Sequence, residues 1–181
     1  SSKKVWWKCP KGDDHEWETT VSKRNNGWGC PICSGHKLAK SNTLLEKYPE
    51  LAKEWNYKRN KELIPSNTVA GGGKKVWWKC PKGDDHEWET TIYSRIQGTG
   101  CPFCSGTKAS KNNNLELSEP KLANEWHIEL NGGLKATMVT SGSGKKVWWQ
   151  CKKNKRHQYK ATPASRVRGT GCPICTNQAI D

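Results

Sequence analysis

Along Val5-Trp6-Trp7-Lys8-Cys9 and again along Glu16-Trp17-Glu18-Thr19-Thr20, the residue types change in steps of two. Successive side chains of a strand point to opposite faces. Val5, Trp7 and Cys9 therefore share one face, and Trp6 and Lys8 the other. One indole belongs to a small core and its neighbour lies nearer the surface. There a connector helix is the expected partner, and a nucleic-acid base the alternative. After Thr20 the alternation stops. Threonine is a good helix N-cap, and proline, which stands at the next position in one later copy as Pro163, suits a first helical position. Gly27, Gly98 and Gly169 fall where a helix would end in the left-handed conformation. The pattern predicts two strands followed by a helix of about two turns.

This pattern occurs three times. Lys-Lys-Val-Trp-Trp opens at Lys3, Lys74 and Lys145, and the register holds without a gap between copies. Modules are expected at 3–36, 74–107 and 145–181, with connectors at 37–73 and 108–144. In each connector a proline precedes a Leu-Ala pair and a tryptophan: Pro49, Leu51, Ala52 and Trp55, then Pro120, Leu122, Ala123 and Trp126. That spacing predicts about one short helix with an apolar face, packing Trp55 and Trp126 on a neighbouring module. Gly71-Gly72-Gly73 and Ser141-Gly142-Ser143-Gly144 read as flexible joints.

Composition raises a problem that the pattern alone does not. Hydrophobic residues make up only 33%, with one Phe and one Met, yet the 181 residues include 11 Trp and 9 Cys. A disordered basic tail would not carry those residues, and modules this small bury too little apolar surface to stand alone.

The cysteines supply the answer. Each copy has the spacing C-x5-H-x14-C-x2-C: Cys9, His15, Cys30 and Cys33; Cys80, His86, Cys101 and Cys104; Cys151, His157, Cys172 and Cys175. Three cysteines cannot pair off within a module, and a disulfide would have no use for the histidine. Four N/S ligands suit a closed tetrahedral zinc shell, so three structural Zn2+ ions are expected, each supplying folding energy to its module. His36 and His127 do not recur between copies and read as solvated loop residues.

Charge adds a partner class. The formal net charge is +14, distributed as about +5, +1 and +8 over residues 3–73, 74–144 and 145–181. A strong positive field favours a polyanion. In the predicted helix, Arg24, Arg95 and Arg166 coincide while their neighbours vary. Backbone contacts can be common to all modules, whereas base contacts must differ. Accordingly Lys3, Lys4, Lys74, Lys75, Lys145, Lys146 and the three arginines are expected near phosphates. Lys23, Asn25, Asn26, Ser94, Gln97, Ser165 and Arg168 are expected to read base edges in a duplex major groove. Free drift of surface helix positions is the alternative.

The string W-W-K-C-P-K-G…H-E-W-E-x-T…S-R…G-x-G-C-P-x-C-S-G, followed by Y-P-E-L-A-K-E-W, resembles the tandem probable zinc-ribbon domains of bacterial and phage proteins over essentially the whole chain. The resemblance implies small α+β modules of zinc-ribbon or treble-clef-like fold, three in tandem, with short β-hairpins, short helices and helical connectors. It carries the ligand role onto the twelve Cys and His above. It also implies a DNA-binding part that stands beside endonuclease domains of the very-short-patch-repair or homing type, so a fused or associated nuclease is an expected partner. The chain departs from the family at Asp13-Asp14 and Asp84-Asp85, where the family's loop is shorter.

Catalysis is not expected. The histidines are committed to metal, and no separate nucleophile or acid/base set recurs. No small-molecule substrate and no membrane are expected either. With no signal peptide, the expected location is intracellular, cytoplasmic or nucleoid-associated. Duplex DNA is the leading partner. RNA or single strands, which exposed tryptophans would favour, and a protein-interaction scaffold are the alternatives.

Overall fold

The computed structural model describes residues 2–176; the last positions of the expected third module, 177–181, lie outside the described residues. The chain divides into two compact units, 1–99 and 100–181.

In the first unit, β1 (Lys4–Lys8) pairs antiparallel with β2 (Glu16–Thr20), setting Trp7 opposite Trp17. Helix α1 (Val21–Asn25) follows without a loop. The Thr20 hydroxyl accepts from the Lys23 N–H, and Gly27 leaves the helix at φ +84°. Both ends are as the sequence predicts, because threonine satisfies a first-turn donor and glycine tolerates the left-handed exit.

The connector contains more helix than expected. A 3-10 turn (Lys40–Asn42) leads into α2 (Leu44–Lys47), α3 (Pro49–Ala52) and α4 (Tyr57–Asn60), and a second 3-10 turn follows at Pro65–Asn67. Pro49 explains the division. The residue before a proline is kept out of the helical region, and Tyr48, at φ −140° and ψ 64°, separates α2 from α3. Trp55 lies beyond α3, in an isolated bridge with Trp78 rather than on a helix face. The connector also ties back to the first module: the buried Asn42 amide donates to the carbonyls of Ile32 and Lys37.

Then β3 (Lys75–Lys79), β4 (Glu87–Thr91) and α5 (Ile92–Ile96) repeat the hairpin and helix. The second unit contains α6 (Leu115–Ser118), α7 (Pro120–Ala123), a 3-10 turn (Ala136–Met138), β5 (Val147–Gln150), β6 (Gln158–Ala161) and α8 (Pro163–Val167). Its core gathers Leu115, Trp126, Val147, Trp149 and Tyr159. No helix among the described residues is long and apolar enough to cross a membrane.

The expected flexible joints are engaged. The Gly72 carbonyl accepts from the Tyr93 N–H at 3.3 Å, and the Ser143 carbonyl from the Ala164 N–H at 3.1 Å. First-turn amides of a helix have no partner within the helix, and here the joint backbone supplies one.

Candidate metal centres and nucleic-acid interface

Each hairpin brings a cysteine and a histidine together, and each Cys-Pro-x-Cys turn adds two more thiols. The donor atoms of Cys9, His15, Cys30 and Cys33 lie within 4.8 Å of one another, as do those of Cys80, His86, Cys101 and Cys104 and those of Cys151, His157, Cys172 and Cys175. In the first group the Cys9 and Cys33 sulfurs are 3.7 Å apart, and His15 Nδ1 is 3.3 Å from Cys33 Sγ and 3.8 Å from Cys30 Sγ. The third group repeats this at 3.6, 3.3 and 3.8 Å. Zinc–sulfur bonds of about 2.3 Å in a tetrahedron give ligand–ligand edges of about 3.8 Å, so the donors fit zinc without rearrangement.

The thiols also show why a cation belongs there. The Lys11 backbone amide, with His15 and the other two thiols assisting, lowers Cys9 to about 7 against the effect of burial. Desolvation and the neighbouring thiols push Cys33 up to about 11. Cys175 rises to about 11 through Cys151 and through burial. Three packed thiols resist joint ionisation, and a divalent cation removes that resistance.

The His15 and His157 rings are held from behind, which leaves Nδ1 for metal. His15 Nε2 contacts the Ser41 hydroxyl at 3.0 Å, and Asp14 accepts from the Ser41 N–H at 2.8 Å. That amide, with the Ser41 hydroxyl, is why the Asp14 carboxyl is held below its ordinary value. The Asp-Asp loop therefore ties the connector to the ligand. A Cβ on Gly12 or Gly83 would meet the histidine ring at 2.7 Å. In the third copy Asn154 stands at that position, and its side-chain amide lies 3.1 Å from His157 Nε2. His36 is an exposed loop residue bonded to Ser34, and His127 lies against Gln158; neither joins a metal group.

Two of the three repeated arginines are not where a phosphate contact would need them. Arg95 and Arg166 are only 6% and 7% exposed. The Arg95 guanidinium lies over Trp78 and Trp88, donates to the Thr99 carbonyl, and pairs with Glu54 at 2.7 Å. Arg166 lies over Trp149 and Tyr159, donates to the Thr170 carbonyl, and pairs with Glu125. Their expected phosphate role is corrected to a packing role: each binds its helix to its hairpin and to the connector. Arg24 has the same ring cradle, Trp7 and Trp17, and the same carbonyl contact, to Trp28, but has no carboxylate partner among the described residues.

The remaining predicted positions sort by exposure. Lys3, Lys4, Lys74, Lys75, Lys145 and Lys146 are exposed. Lys23, Asn25, Asn26, Gln97 and Arg168 are exposed on or beside the helices. Ser94 and Ser165 are half-buried, and their hydroxyls bond locally to Thr91 and to the Thr162 carbonyl. The helix caps themselves are Thr91 and Thr162, whose hydroxyls accept from the Ser94 and Ser165 N–H groups. Asn26, Gln97 and Arg168 occupy one equivalent site, the C-cap residue of α1, α5 and α8. Two features were not singled out from sequence. Lys152, Lys153, Lys155 and Arg156 form an exposed basic loop between Cys151 and His157, which local charge would have revealed. Trp28, 64% exposed with Lys23 over its ring, had no such signal, since Thr99 and Thr170 stand at the equivalent positions.

Hairpin, helix and knuckle around four N/S donors, three times over, define a tandem array of structural Cys3His zinc modules. The chain belongs to the family described as the probable treble clef zinc finger domain, which matches residues 1–36, 51–107 and 122–178. The second and third matches open at Leu51 and Leu122, so each takes in the Glu-Trp pair that precedes its hairpin. No curated protein matches the chain.

Proposed function

We propose that the protein is a non-catalytic nucleic-acid-binding zinc-finger array that recognises duplex DNA, one module after another. The carrying observation is the shared position of Asn26, Gln97 and Arg168, exposed at the end of each short helix. The scaffold around it is constant, while its side chain changes among three types suited to adenine or guanine edges. Exposed lysines at the start of each hairpin, with the basic loop of the third module, supply the phosphate attraction. Helices of five residues present few side chains to a groove, which favours one reading position per module over several. Four protein ligands on each zinc would leave no open coordination site for hydrolysis, which supports a non-catalytic reading.

A second reading rests on one observation. In the first module Trp6 and Trp28 are 71% and 64% exposed. Exposed indoles suit stacking on unpaired bases, so single strands or RNA are the competing partners. Binding of the zinc-loaded chain to duplex DNA, single-stranded DNA and RNA of one sequence, at one salt concentration, separates the two. Tighter duplex binding supports the proposal; preference for either other form overturns it in favour of the second reading.

A further inference from the structure

In the second module a segment of the connector covers the outer edge of the hairpin. Lys79 N–H donates to the Glu54 carbonyl at 2.7 Å, and Asn56 N–H donates to the Trp77 carbonyl at 3.1 Å. The Asn60 side chain closes both polar groups of Trp77. Trp55 meets Trp78 edge to face, and Glu54 neutralises Arg95. The third module repeats every contact: Gln150 N–H to the Glu125 carbonyl at 2.7 Å, His127 N–H to the Trp148 carbonyl, Asn131 on Trp148, Trp126 on Trp149, and Glu125 on Arg166.

The first module has the same hairpin face without its cover. Trp6 is 71% exposed and Trp7 half-buried, whereas Trp78 and Trp149 are fully buried. Among the described residues, no backbone segment pairs with the outer edge at Trp6 and Lys8, and no carboxylate meets Arg24. An open strand edge, an indole face and an uncompensated guanidinium thus lie together, arranged as they are where a Glu-Trp segment docks.

We propose that this face of the first module is a docking surface for the connector of another repeat: an extended segment with a carboxylate residue directly followed by tryptophan and an asparagine five residues later. The strand edge supplies the backbone bonds, as in other strand-addition recognition, and Arg24 with Trp7 supplies the specificity. The occupant's chemistry is fixed by charge complementarity to Arg24 and by the two occupied copies of the same face.

The test extends the full zinc-loaded chain by a second copy of residues 37–73, joined directly ahead of Lys3 so that the natural spacing to the hairpin is kept. Amide hydrogen exchange at Lys8 is read without nucleic acid. Docking should slow it by roughly tenfold or more relative to the unextended chain. The same extension carrying Glu54→Gln and Trp55→Ala in the added copy should leave Lys8 exchanging as before. Unchanged exchange with the unaltered copy overturns the proposal, as does equal protection by the altered copy. Protection of Lys8 by a single-stranded oligonucleotide but not by the added connector would instead make the face a base-stacking platform, which also overturns it.

Discussion

The indole of Trp126 meets that of Trp149 edge to face, with ring centroids 5.4 Å apart and planes at 78°. One ring comes from a connector and the other from the hairpin that follows it. The adjacent Glu125 is buried against Arg166, so an aromatic contact and an ion pair fasten the same two segments. Trp126→Ala should cost about 3–5 kcal/mol, the usual penalty for deleting a large buried aromatic. Trp6→Ala, at an exposed position, should change stability by no more than about 0.5 kcal/mol. Denaturant midpoints of the two variants check the contrast.

Glu125→Gln should destabilise by about 3 kcal/mol, because it leaves a buried guanidinium without its counter-charge. Glu54→Gln should cost less, about 1 kcal/mol, since the Glu54 side chain retains 27% of its exposure and water can compensate. Hydrogen exchange within the affected hairpin measures each loss. Equal losses would mean that burial does not set the strength of these pairs.

The three Cys3His groups predict three zinc ions per chain. Elemental analysis should return that ratio, and a strong chelator should remove the near-ultraviolet signal of the tryptophans as the modules unfold. A reproducible content near one, or folding indifferent to chelation, would contradict the array.

Much of this was legible in the sequence, for identifiable reasons. Twelve ligands repeating at constant spacing admit few chemistries, and Thr20 with Gly27 marks both ends of a helix. Arg24, Arg95 and Arg166 were harder. A residue constant among repeats can contact a common phosphate or fill a common packing site, and the deciding partners, Glu54 and Glu125, lie 41 residues upstream of Arg95 and Arg166. Nothing local announces that pairing. Ser94 and Ser165 differ from Lys23 at the same position, which suggested reading; their hydroxyl bonds to Thr91 and Thr162 were not legible in that variation.

Salt provides an independent handle. If exposed lysines contact phosphates, the log–log slope of affinity against salt should be on the order of −4 to −8, at about −0.9 per phosphate neutralised. Lys145→Ala combined with Lys146→Ala should flatten that slope by up to about 2, while Arg166→Ala should act through loss of stability in the third module. Titrations at several salt concentrations check this. A flat response in the parent chain would favour a protein scaffold.

The most direct measurement is base-preference profiling of the zinc-loaded parent chain beside Gln97→Ala and Arg168→Ala. Both side chains are exposed at the end of a helix, so their removal should leave the fold intact. A bidentate base contact discriminates by roughly 1–3 kcal/mol. Gln97→Ala should therefore relax preference at one adenine-containing position and Arg168→Ala at one guanine-containing position, each leaving the others alone. Uniform loss of affinity across all sequences, or a parent chain with no preference to lose, would contradict modular reading at this site.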